Sequence, residues 1–571
     1  MSPEKPVLQQ KTRDFRPVRV EDRDVPSQEA ERIPAWTVLL APLLAAVVAS
    51  PGLGNHLLSD DYALLAGNVG QSAVDLFRPF LHESTSRAAG GTYRPLTEVS
   101  VGLDYLLWGK APFAFHLVNL LWHVVNTLLC FAFARVLVPQ RPVVALTAAL
   151  LFAAHPVHGD AIFWLSARSD LLVTFFYVLS LLLFVRGRSH EERRVPTVAS
   201  VLCFVMALLS KEVALSLPVL VVILDLAAPS TESFRARLRR HMPRYLVYVA
   251  VGVAYLGLRL TVLPTIAHAK FPGLGEALFN FALYFKLMLL PMETHTGLRG
   301  VVVTVLALIV LVVIFLRYAR MGDRRNMFLG VAWMVTIILP ILDVPRRWQL
   351  YLPSVGFCIF LAIVMAGLVW RRDEYHSRRV SRISGVGLLL MLAGGAAALY
   401  NHATVYGRAG ALGQSIIEQV QALEPSPPKG HVVNTANLPS VLTSWAGSQP
   451  VFAFGFSEAL QLAYDRPDIK GRVLSTLYVK DGPPATPSAT VLKGDQLRFD
   501  TGGSAYSFSF HTSRFTTGRD NPQKGAVHDF GGWTTRIETV EKNQIKRLTV
   551  TPRAKLTPVL TWDGKKMVRL K

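Results

Sequence analysis

The sequence predicts a polytopic α-helical membrane protein that carries an extracytoplasmic C-terminal domain of mixed helices and strands. The 571-residue chain is 51% hydrophobic and only 17% charged, and its mean hydropathy is +0.34. Soluble domains usually contain about 25% charged residues. The apolar residues lie in long segments separated by arginine-rich runs, and after residue 400 alternating strand-like stretches replace those segments. These three observations define the predicted fold class.

The apolar segments predict eleven membrane spans. They lie at 35–50, 114–137, 142–157, 168–185, 197–210, 213–228, 245–263, 299–316, 327–342, 353–370 and 383–400. Several are short for the roughly 20 residues that cross a bilayer. A further apolar segment, 277–291, is predicted to be interfacial or re-entrant, because a full crossing there would move two arginine-rich runs to the outside.

The basic residues set the predicted orientation. Residues 1–400 carry +13 of the +21 net charge, and most of that excess lies in short runs, beginning near Arg186, Arg235, Arg317 and Arg371, that are spaced by pairs of spans. This is the positive-inside pattern, and it disfavours a nucleic-acid-binding function for the charge. We therefore expect a cytoplasmic tail over 1–33, a transmembrane domain over 34–400 with an outer loop at 54–113, and an extracytoplasmic domain over 401–571.

The C-terminal region has the pattern of a folded domain. Alternating residues at 507–510 and 547–550 predict strands, and a helix at 410–422 is predicted to continue from the last span. A 34-residue helical repeat is not visible in this region. The three cysteines, Cys130, Cys203 and Cys358, lie inside apolar segments, so the sequence offers neither a disulfide framework nor a zinc knuckle.

Two adjacent carboxylates follow the first span, in Ser59-Asp60-Asp61-Tyr62. Either carboxylate is suited to take a proton from an acceptor hydroxyl or to bind a divalent cation. The alternative is an N-cap of the following helix. Later in the same loop, Tyr93 precedes Arg94, whose guanidinium is suited either to phosphate or to pairing with the acidic residues.

The second span carries a polar stripe of His116, Asn119, His123 and Asn126 on one helical face. Hydrogen bonds between helices are the favoured interpretation for His123 and Asn126. His116, nearest the outer surface, is the better site candidate.

Further polar residues collect at the predicted outer ends of later spans. They are His155, His158, Asp160, Trp164, Ser166, Arg168, Asp170, Lys211, Glu212, Arg346, Arg347 and Tyr351. The histidines and aspartates suggest either zinc ligands or, better, polar lining of a cavity. Lys211 and Glu212 are expected to neutralise each other. The two adjacent arginines break the arginine-inside trend and indicate an anionic ligand.

Several motifs, taken in their order along the chain, resemble those of a known family. They are Ser-Asp-Asp-Tyr, Tyr-Arg-Pro-Leu before Trp108-Gly109, the stretch from His116 to Asn119, His-Pro-Val-His with Trp164 and Arg168-Ser-Asp170, Ser-Lys-Glu and Tyr-Leu-Pro. They are similar to GT-C membrane glycosyltransferases, and especially to the transmembrane and tetratricopeptide-repeat O-mannosyltransferases and their bacterial relatives. The resemblance covers roughly 35–400. The repeats are missing from the C-terminal region.

The resemblance implies transfer of a sugar from a polyprenyl-phosphate donor to an acceptor hydroxyl on a protein or glycan, outside the membrane. It implies Asp60 or Asp61 as the base. The donor phosphate would be held by a set drawn from Arg94, Arg168, Lys211, Arg346 and Arg347. Tyr93, His116, His155, His158, Asp170 and Tyr351 would line the cavity. No cofactor is certain, and a divalent cation is possible.

The expected location is a bacterial inner membrane, with a cytoplasmic N-terminus, a periplasmic C-terminus and no nucleic-acid partner. A lipid-linked sugar flippase or transporter is the alternative function. Transporter sites lie near the bilayer midplane, often within repeated halves. Here the charged residues collect at the outer span ends, which favours the transferase.

Overall fold

The computed structural model describes residues 33–570 with gaps. The gaps are 69–72, 83–91, 189–193, 264–271, 290–323 apart from a few isolated positions, 344, 370–377, 445–446, 481–485, 493–495, 502–504, 508–522, 530–532, 542–543 and 554–557. The predicted tail at 1–33 and the predicted span at 299–316 therefore lie almost entirely outside the described residues.

The first two thirds of the chain are helical. The helices are α1 Leu40–Ala49, α2 Asp60–Ala66, α3 Pro95–Trp108, α4 Pro112–Leu137, α5 Pro142–Ala153, α6 Gly159–Phe163, α7 Arg168–Arg188, α8 Arg194–Ser210, α9 Leu217–Ala227, α10 Phe234–Val262, α11 Leu274–Leu289, α12 Arg324–Ile338, α13 Pro353–Val369 and α14 Arg378–Leu423. Proline occupies the first turn of several of them, where its missing N–H leaves no intrahelical bond unmade.

Within the described residues, six helical segments are long and apolar enough to cross a membrane. They are Ala35–Gly54, Pro112–Leu137, Leu165–Gly187, Phe234–Val262, Arg324–Ile341 and Gly385–Leu423. A bent pair, Pro142–Ala153 with Pro156–Phe163, is a seventh candidate, and Thr197–Ser210 and Pro353–Ala366 are shorter apolar helices. A membrane-type helical bundle is confirmed in this way, whereas the count of eleven stays a prediction.

Glycine lets α12 and α13 approach each other closely. A Cβ on Gly330 would lie 2.9 Å from the carbonyl oxygen of Gly356, and one on Gly356 would lie 2.6 Å from the Trp333 side chain. The Trp333 ring also packs 5.3 Å from the Phe133 ring on α4. Small residues at helix contacts are typical of membrane bundles, in which close van der Waals packing drives helix association.

The contacts between helix ends define the two ends of the bundle. The ends of α4, α7 and α9 meet the start of α12 around a groove that includes Leu137, Val185, Ala227 and Arg325. The start of α4 lies at the opposite end, because its 26 residues extend about 39 Å. There the Phe115 carbonyl accepts a 2.9 Å hydrogen bond from Arg168 at the start of α7. The outer loop and its acidic residues lie at this second end.

Helix α14 joins the bundle to the C-terminal region. Its 46 residues extend about 69 Å, roughly twice the hydrocarbon core of a bilayer. Near its end, Gln419 accepts a 2.7 Å hydrogen bond from the Met567 backbone, and Gln421 donates to the Ala463 carbonyl at 2.8 Å. The helix predicted at 410–422 is therefore confirmed as the continuation of the last span.

Strands form the rest of the C-terminal region. They are β1 Val432–Ala436, β2 Leu438–Ser444, β3 Gly447–Pro450, β4 Lys470–Val473, β5 Thr476–Lys480, β6 Ser488–Val491, β7 Leu497–Asp500, β8 Ala505–Ser507, β9 Val527–Asp529, β10 Trp533–Glu541, β11 Gln544–Pro552, β12 Val559–Trp562 and β13 Met567–Arg569, with helix α15 at Phe456–Tyr464 between β3 and β4. The strand predicted at 547–550 lies inside β11, whereas residues 508–510 of the other predicted strand lie outside the described residues.

The strands form three sheets, ordered β13-β12-β1-β4, β6-β7-β11-β10-β9 and β3-β2-β5-β8. The first and third contain both parallel and antiparallel pairs, and the second is antiparallel among its described pairs. Phe499, Ile537 and Leu548 from the second sheet are buried in a hydrophobic cluster that also contains Leu58 and Tyr62 of the outer loop. The C-terminal region therefore packs against residues 58–62, which we call the acidic loop.

Candidate active site

Asp61 is tied into the structure by both carboxylate oxygens. Oδ2 accepts a 3.1 Å hydrogen bond from the Leu58 backbone, and Oδ1 accepts 2.8 Å hydrogen bonds from the backbone and the hydroxyl of Ser166. The residue is 1% exposed. Burial raises the pKa of its carboxyl to about 7, although the Ser166 hydrogen bonds act in the opposite direction. Asp61 thus fastens the acidic loop to the turn before α7.

Asp60 has a different environment. The residue is partly buried, and its Oδ1 is buried with no hydrogen-bond partner among the described residues. Burial, and then the neighbouring Asp61, raise the pKa of Asp60 to about 7, while the positive charge of Arg346 lowers it and Glu458 raises it. A carboxylate with an open lone pair and a pKa near neutrality is suited to accept a proton.

The residue before this pair has a strained backbone. Ser59 has φ 42° and ψ −104°, a combination that L-residues rarely adopt. Such strain persists only where surrounding contacts enforce it, and it is found preferentially at functional sites. Here it orients the start of α2, so that Asp60 and Asp61 point to different surroundings.

Arg346 and the tryptophans beside it lie close to the acidic loop. The exposed Arg346 guanidinium lies 5.8 Å from the centre of the Trp348 ring, and that ring packs edge-on against Trp164 at 5.0 Å. Trp164 precedes Ser166, the partner of Asp61. Its Nε1 is buried and has no hydrogen-bond acceptor in the described part of the chain. A cation and an unused N–H donor therefore stand beside the two carboxylates.

Arg347 is held in place by His402 on α14. Its Nη2 donates to His402 Nε2 at 2.8 Å, and His402 Nδ1 lies 3.7 Å from Asp160 Oδ1. Because a guanidinium only donates, Nε2 must accept and the ring proton resides on Nδ1, facing the carboxylate. The Tyr406 hydroxyl donates to the same carboxylate oxygen at 3.2 Å. This chain of contacts fixes the segment that carries Arg346.

Arg94 and Lys211 form two ion pairs away from the acidic loop. Arg94 donates to both oxygens of Glu212 at 3.1 and 2.7 Å. Lys211 donates to both oxygens of Asp170 at 2.7 and 2.6 Å. The expectation that Lys211 pairs with Glu212 is wrong, because the backbone between them turns their side chains toward different helices. The alternative pairing of Arg94 with Asp60 or Asp61 is not found either.

Arg168 is fully buried and surrounded by acceptors. It donates to Asn119 Oδ1 at 2.7 Å and to the Phe115 carbonyl at 2.9 Å, and it also pairs with the Asp104 carboxylate. A guanidinium so engaged joins α3, α4 and α7. It has no remaining surface on which a donor phosphate would be bound.

The polar-stripe residues of the second span and the predicted cavity-lining residues divide into two groups. His123 contacts the Tyr351 hydroxyl at 2.8 Å, and Asn126 donates to the Leu171 carbonyl at 2.9 Å. Both residues therefore make the hydrogen bonds between helices that the sequence predicts for them. His158 contacts Ser354 at 2.8 Å and packs 4.5 Å from the Tyr351 ring. These residues fill the bundle interior.

The remaining lining candidates lie at other positions. His116 is buried near the Arg168 end of α4, and Tyr93 is buried with its hydroxyl donating to the Phe80 carbonyl at 3.0 Å. The His155 ring accepts from the Val157 backbone at 3.3 Å. None of these contacts places the side chain against Asp60.

Among the described residues, the predicted ligands do not form a divalent-cation or zinc site. Over the described ranges, no group of three or more His, Cys, Asp or Glu side chains is arranged to hold a metal ion. Asp61 commits both oxygens to hydrogen bonds, and His155 and His158 contact separate partners. We therefore derive no chemical step through a metal.

Sequence reasoning did not identify three contributors to this region. Glu458 acts on Asp60 from the C-terminal domain, Asp104 pairs with Arg168, and His402 holds Arg347. Asp104 carried a usable signal, since it is a carboxylate in the otherwise apolar second half of α3. Glu458 and His402 carried none, because each is far in sequence from the residue it affects.

Comparison with known proteins shows a sequence relationship. Over 139 residues the chain is 37% identical to Protein O-mannosyl-transferase Tmtc1 of Drosophila melanogaster, covering 24% of this chain and 16% of the relative. Over 375 residues it is 24% identical to Protein O-mannosyl-transferase F38B6.6 of Caenorhabditis elegans, covering 60% of this chain and 52% of the relative. The chain spans about half or less of the length of these relatives, and no family model matches it.

Among solved structures, ArnT from Cupriavidus metallidurans in the apo state aligns with a TM-score of 0.45 and 14% identity, covering 78% of this chain and 86% of that chain. The sequence matches are the informative comparison. They confirm the resemblance that the ordered motifs predict: the chain is similar in sequence to the protein O-mannosyl-transferases.

Proposed function

We propose that the protein is a membrane glycosyltransferase that moves a sugar from a polyprenyl-phosphate donor to an acceptor hydroxyl. The observation that carries this proposal is Asp60, a partly buried carboxylate whose Oδ1 has no hydrogen-bond partner among the described residues and which lies within electrostatic range of Arg346. The names of the relatives, protein O-mannosyl-transferases, support mannose as the sugar and a protein as the acceptor.

In the proposed reaction, Asp60 accepts the proton of the acceptor hydroxyl while the hydroxyl oxygen attacks the anomeric carbon of the sugar. The bond between that carbon and the phosphate oxygen breaks, and its electron pair leaves with the polyprenyl phosphate. A single displacement of this kind inverts the anomeric configuration. General-base catalysis contributes roughly 10²–10⁴-fold to such a step.

The leaving phosphate requires positive charge beside the base. Arg346 is the cation that meets this need, because it is exposed, it acts on Asp60, and it has no carboxylate partner in the described ranges. Arg347 supports its segment from behind through His402. We therefore narrow the proposed phosphate-binding set to Arg346, with Arg347 as its support. The other three candidates, Arg94, Arg168 and Lys211, are engaged in ion pairs.

The acidic loop is proposed to face the extracytoplasmic side. Arg325 lies at the end of the bundle opposite to the Asp61–Ser166 contact, and arginine-rich loops favour the cytoplasm. The direct contacts of Ser59 with Val451 and Phe454 support a C-terminal domain on the same side as Asp60. The site would then receive acceptors outside a bacterial inner membrane.

Donor turnover tests the proposal. The purified protein in detergent is incubated with a polyprenyl-phosphate mannose and candidate acceptor peptides, and products are identified by mass spectrometry. A transferase consumes the donor and adds one hexose to the acceptor without a sealed membrane. If the protein instead moves intact donor across sealed vesicles and forms no glycosylated product with a panel of peptide and glycan acceptors, the flippase alternative is correct.

A further inference from the structure

The acidic loop and the C-terminal domain are joined by reciprocal backbone contacts. The Ser59 N–H donates to the Val451 carbonyl at 3.1 Å, and the Phe454 N–H donates to Ser59 Oγ at 3.0 Å. The Tyr62 and Phe452 rings stack with their centres 5.9 Å apart. Residues on both sides of Asp60 are therefore held by one short turn, 451–455, of the C-terminal domain.

Glycine is required where this turn meets the loop. Gly455 has φ +78°, and a Cβ built on it would lie 2.1 Å from the carbonyl oxygen of Ser59. A side chain there would push the turn away from Ser59. The strained backbone of Ser59 is thus maintained by a contact that only glycine permits.

Helix α15 extends this contact across the outer end of the bundle. It begins directly after Gly455, and near its far end the Leu462 carbonyl and Asp465 Oδ1 accept hydrogen bonds from Lys110 at 2.7 and 2.5 Å. Lys110 lies in the turn between α3 and α4. The helix is therefore fastened to the membrane domain at both ends, and it carries the partly buried Glu458 in its first turn.

We propose that the 451–455 turn and α15 form a clamp that positions Asp60 for catalysis, with Ser59, Gly455 and Glu458 as positioning residues. The clamp makes the C-terminal domain part of the catalytic machinery and one wall of the path that an acceptor takes to Asp60. The catalytic effect of the clamp rests on the proposed function. The contacts that form the clamp are independent of that function.

The first test compares Gly455→Ala with Gly430→Ala. Gly430 also has positive φ, +69°, in the same domain, but a Cβ there would meet nothing within 4 Å, so it controls for backbone strain alone. We expect Gly455→Ala to lower kcat on the order of 10²-fold, the effect of a displacement of about 1 Å, with donor binding unchanged. Equal kcat in the two folded variants would overturn the proposal.

A labelling experiment separates this proposal from the proposed function. Asp60→Cys is combined with either glycine substitution, and maleimide labelling at position 60 is followed by peptide mass spectrometry, which ignores Cys130, Cys203 and Cys358. Faster labelling with Gly455→Ala than with Gly430→Ala supports the clamp even if no donor is turned over. Equal labelling rates would show that the turn does not control access to position 60.

Glu458 is tested through the pH profile. The charged groups that act on Asp60 are Asp61 on α2, Arg346 after α12 and Glu458 on α15. The negative charge of Glu458, in the first turn of α15 after Gly455, raises the pKa of Asp60, so we expect the acidic limb of kcat/KM to move to lower pH in Glu458→Gln. Glu541→Gln, an exposed carboxylate in β10 of the same domain, should leave it unchanged. An unmoved limb in Glu458→Gln would remove Glu458 from the clamp.

Discussion

At the scale of single residues, the most consequential difference is between Asp60 and Asp61. Their carboxylates are adjacent in sequence, yet three hydrogen bonds hold Asp61 whereas Oδ1 of Asp60 has no partner among the described residues. A base needs an open lone pair, and a structural carboxylate needs its acceptors filled. We therefore propose different roles for the two residues.

We expect Asp60→Asn to lower kcat by roughly 10²–10⁴-fold while donor affinity and thermal stability stay close to those of the unmodified protein. Asp61→Asn should lower the thermal unfolding temperature, because an amide cannot accept all the hydrogen bonds that Leu58 and Ser166 donate. Turnover assays and thermal unfolding in detergent check both results. Full activity of Asp60→Asn would remove Asp60 as the base.

The protonation state of Asp60 should appear in the pH profile. The base acts when ionised, and burial raises the pKa of Asp60 to about 7. Activity should therefore be low well below pH 7 and should rise as the pH passes through about 7. The measurement is kcat/KM as a function of pH with the donor below saturation. An acidic limb near pH 4, the ordinary range of aspartate, would contradict this assignment.

Two arginines should respond differently to substitution. Arg346→Ala should weaken donor binding by about 1.5–3 kcal/mol, the range of a charged hydrogen bond, and Arg346→Lys should restore only part of it. Arg168→Met should instead destabilise the fold by about 3–5 kcal/mol, because Asp104 is left buried without its partner. Binding of a labelled polyprenyl-phosphate sugar and thermal unfolding distinguish the two. Unchanged donor affinity in Arg346→Ala would leave the phosphate site unassigned.

At the scale of elements, ion pairs fasten the helices around the loop that follows α8. The side chains of Lys211 and Asp170 are 4% and 3% exposed, whereas those of Arg94 and Glu212 are 20% and 40% exposed. Breaking a buried pair leaves a charge without solvent or partner, whereas a pair that is partly in contact with solvent contributes less. Lys211–Asp170, between that loop and α7, is therefore the more important contact for stability.

We expect Lys211→Met to destabilise the protein by about 3–5 kcal/mol and the double variant Lys211→Met, Asp170→Leu to recover most of that loss. Glu212→Gln, the matched control, should cost less than Lys211→Met, because the Arg94–Glu212 pair is partly in contact with solvent. The comparison is made by unfolding in detergent at neutral pH. If the double variant is as unstable as Lys211→Met alone, an unpaired Asp170 charge is not the cause.

At the scale of the whole molecule, contacts determine which parts share a side of the membrane. Ser59 is hydrogen-bonded to Val451 and Phe454, and Lys110 is hydrogen-bonded to Leu462. The outer loop and the C-terminal domain must therefore lie on one side, whatever the number of spans. Only the sidedness relative to the cell depends on the arginine-rich runs.

A reporter that is active only in the cytoplasm should give no signal when fused after Lys571. The same reporter inserted after Pro229, at the end of the bundle that contains Arg325, should be active. A cysteine at Gly54, where a side chain has open space, should be labelled by an impermeant thiol reagent from the outside. A cytoplasmic signal after Lys571 would reverse the proposed orientation.

The sequence by itself determined the features that depend on short windows of residues. Hydropathy located the bundle, alternation located β11, and the ordered motifs located the relationship to O-mannosyl-transferases. Hydropathy did not determine the number of spans, because apolar helices such as α9, with 11 residues, are too short to identify as crossings from composition.

The tertiary structure decided the partners of the charged residues. Ser166 donates hydrogen bonds to Asp61 and not to Asp60. Lys211 pairs with Asp170 rather than with Glu212. Arg168 pairs with the buried Asp104. Each partner lies on another helix or turn of the bundle, 41 to 105 residues away in sequence. Ion pairing and desolvation act through space over a few ångströms, so local sequence supplies candidate charges, and only the packing of distant helices determines which of them remain available for chemistry.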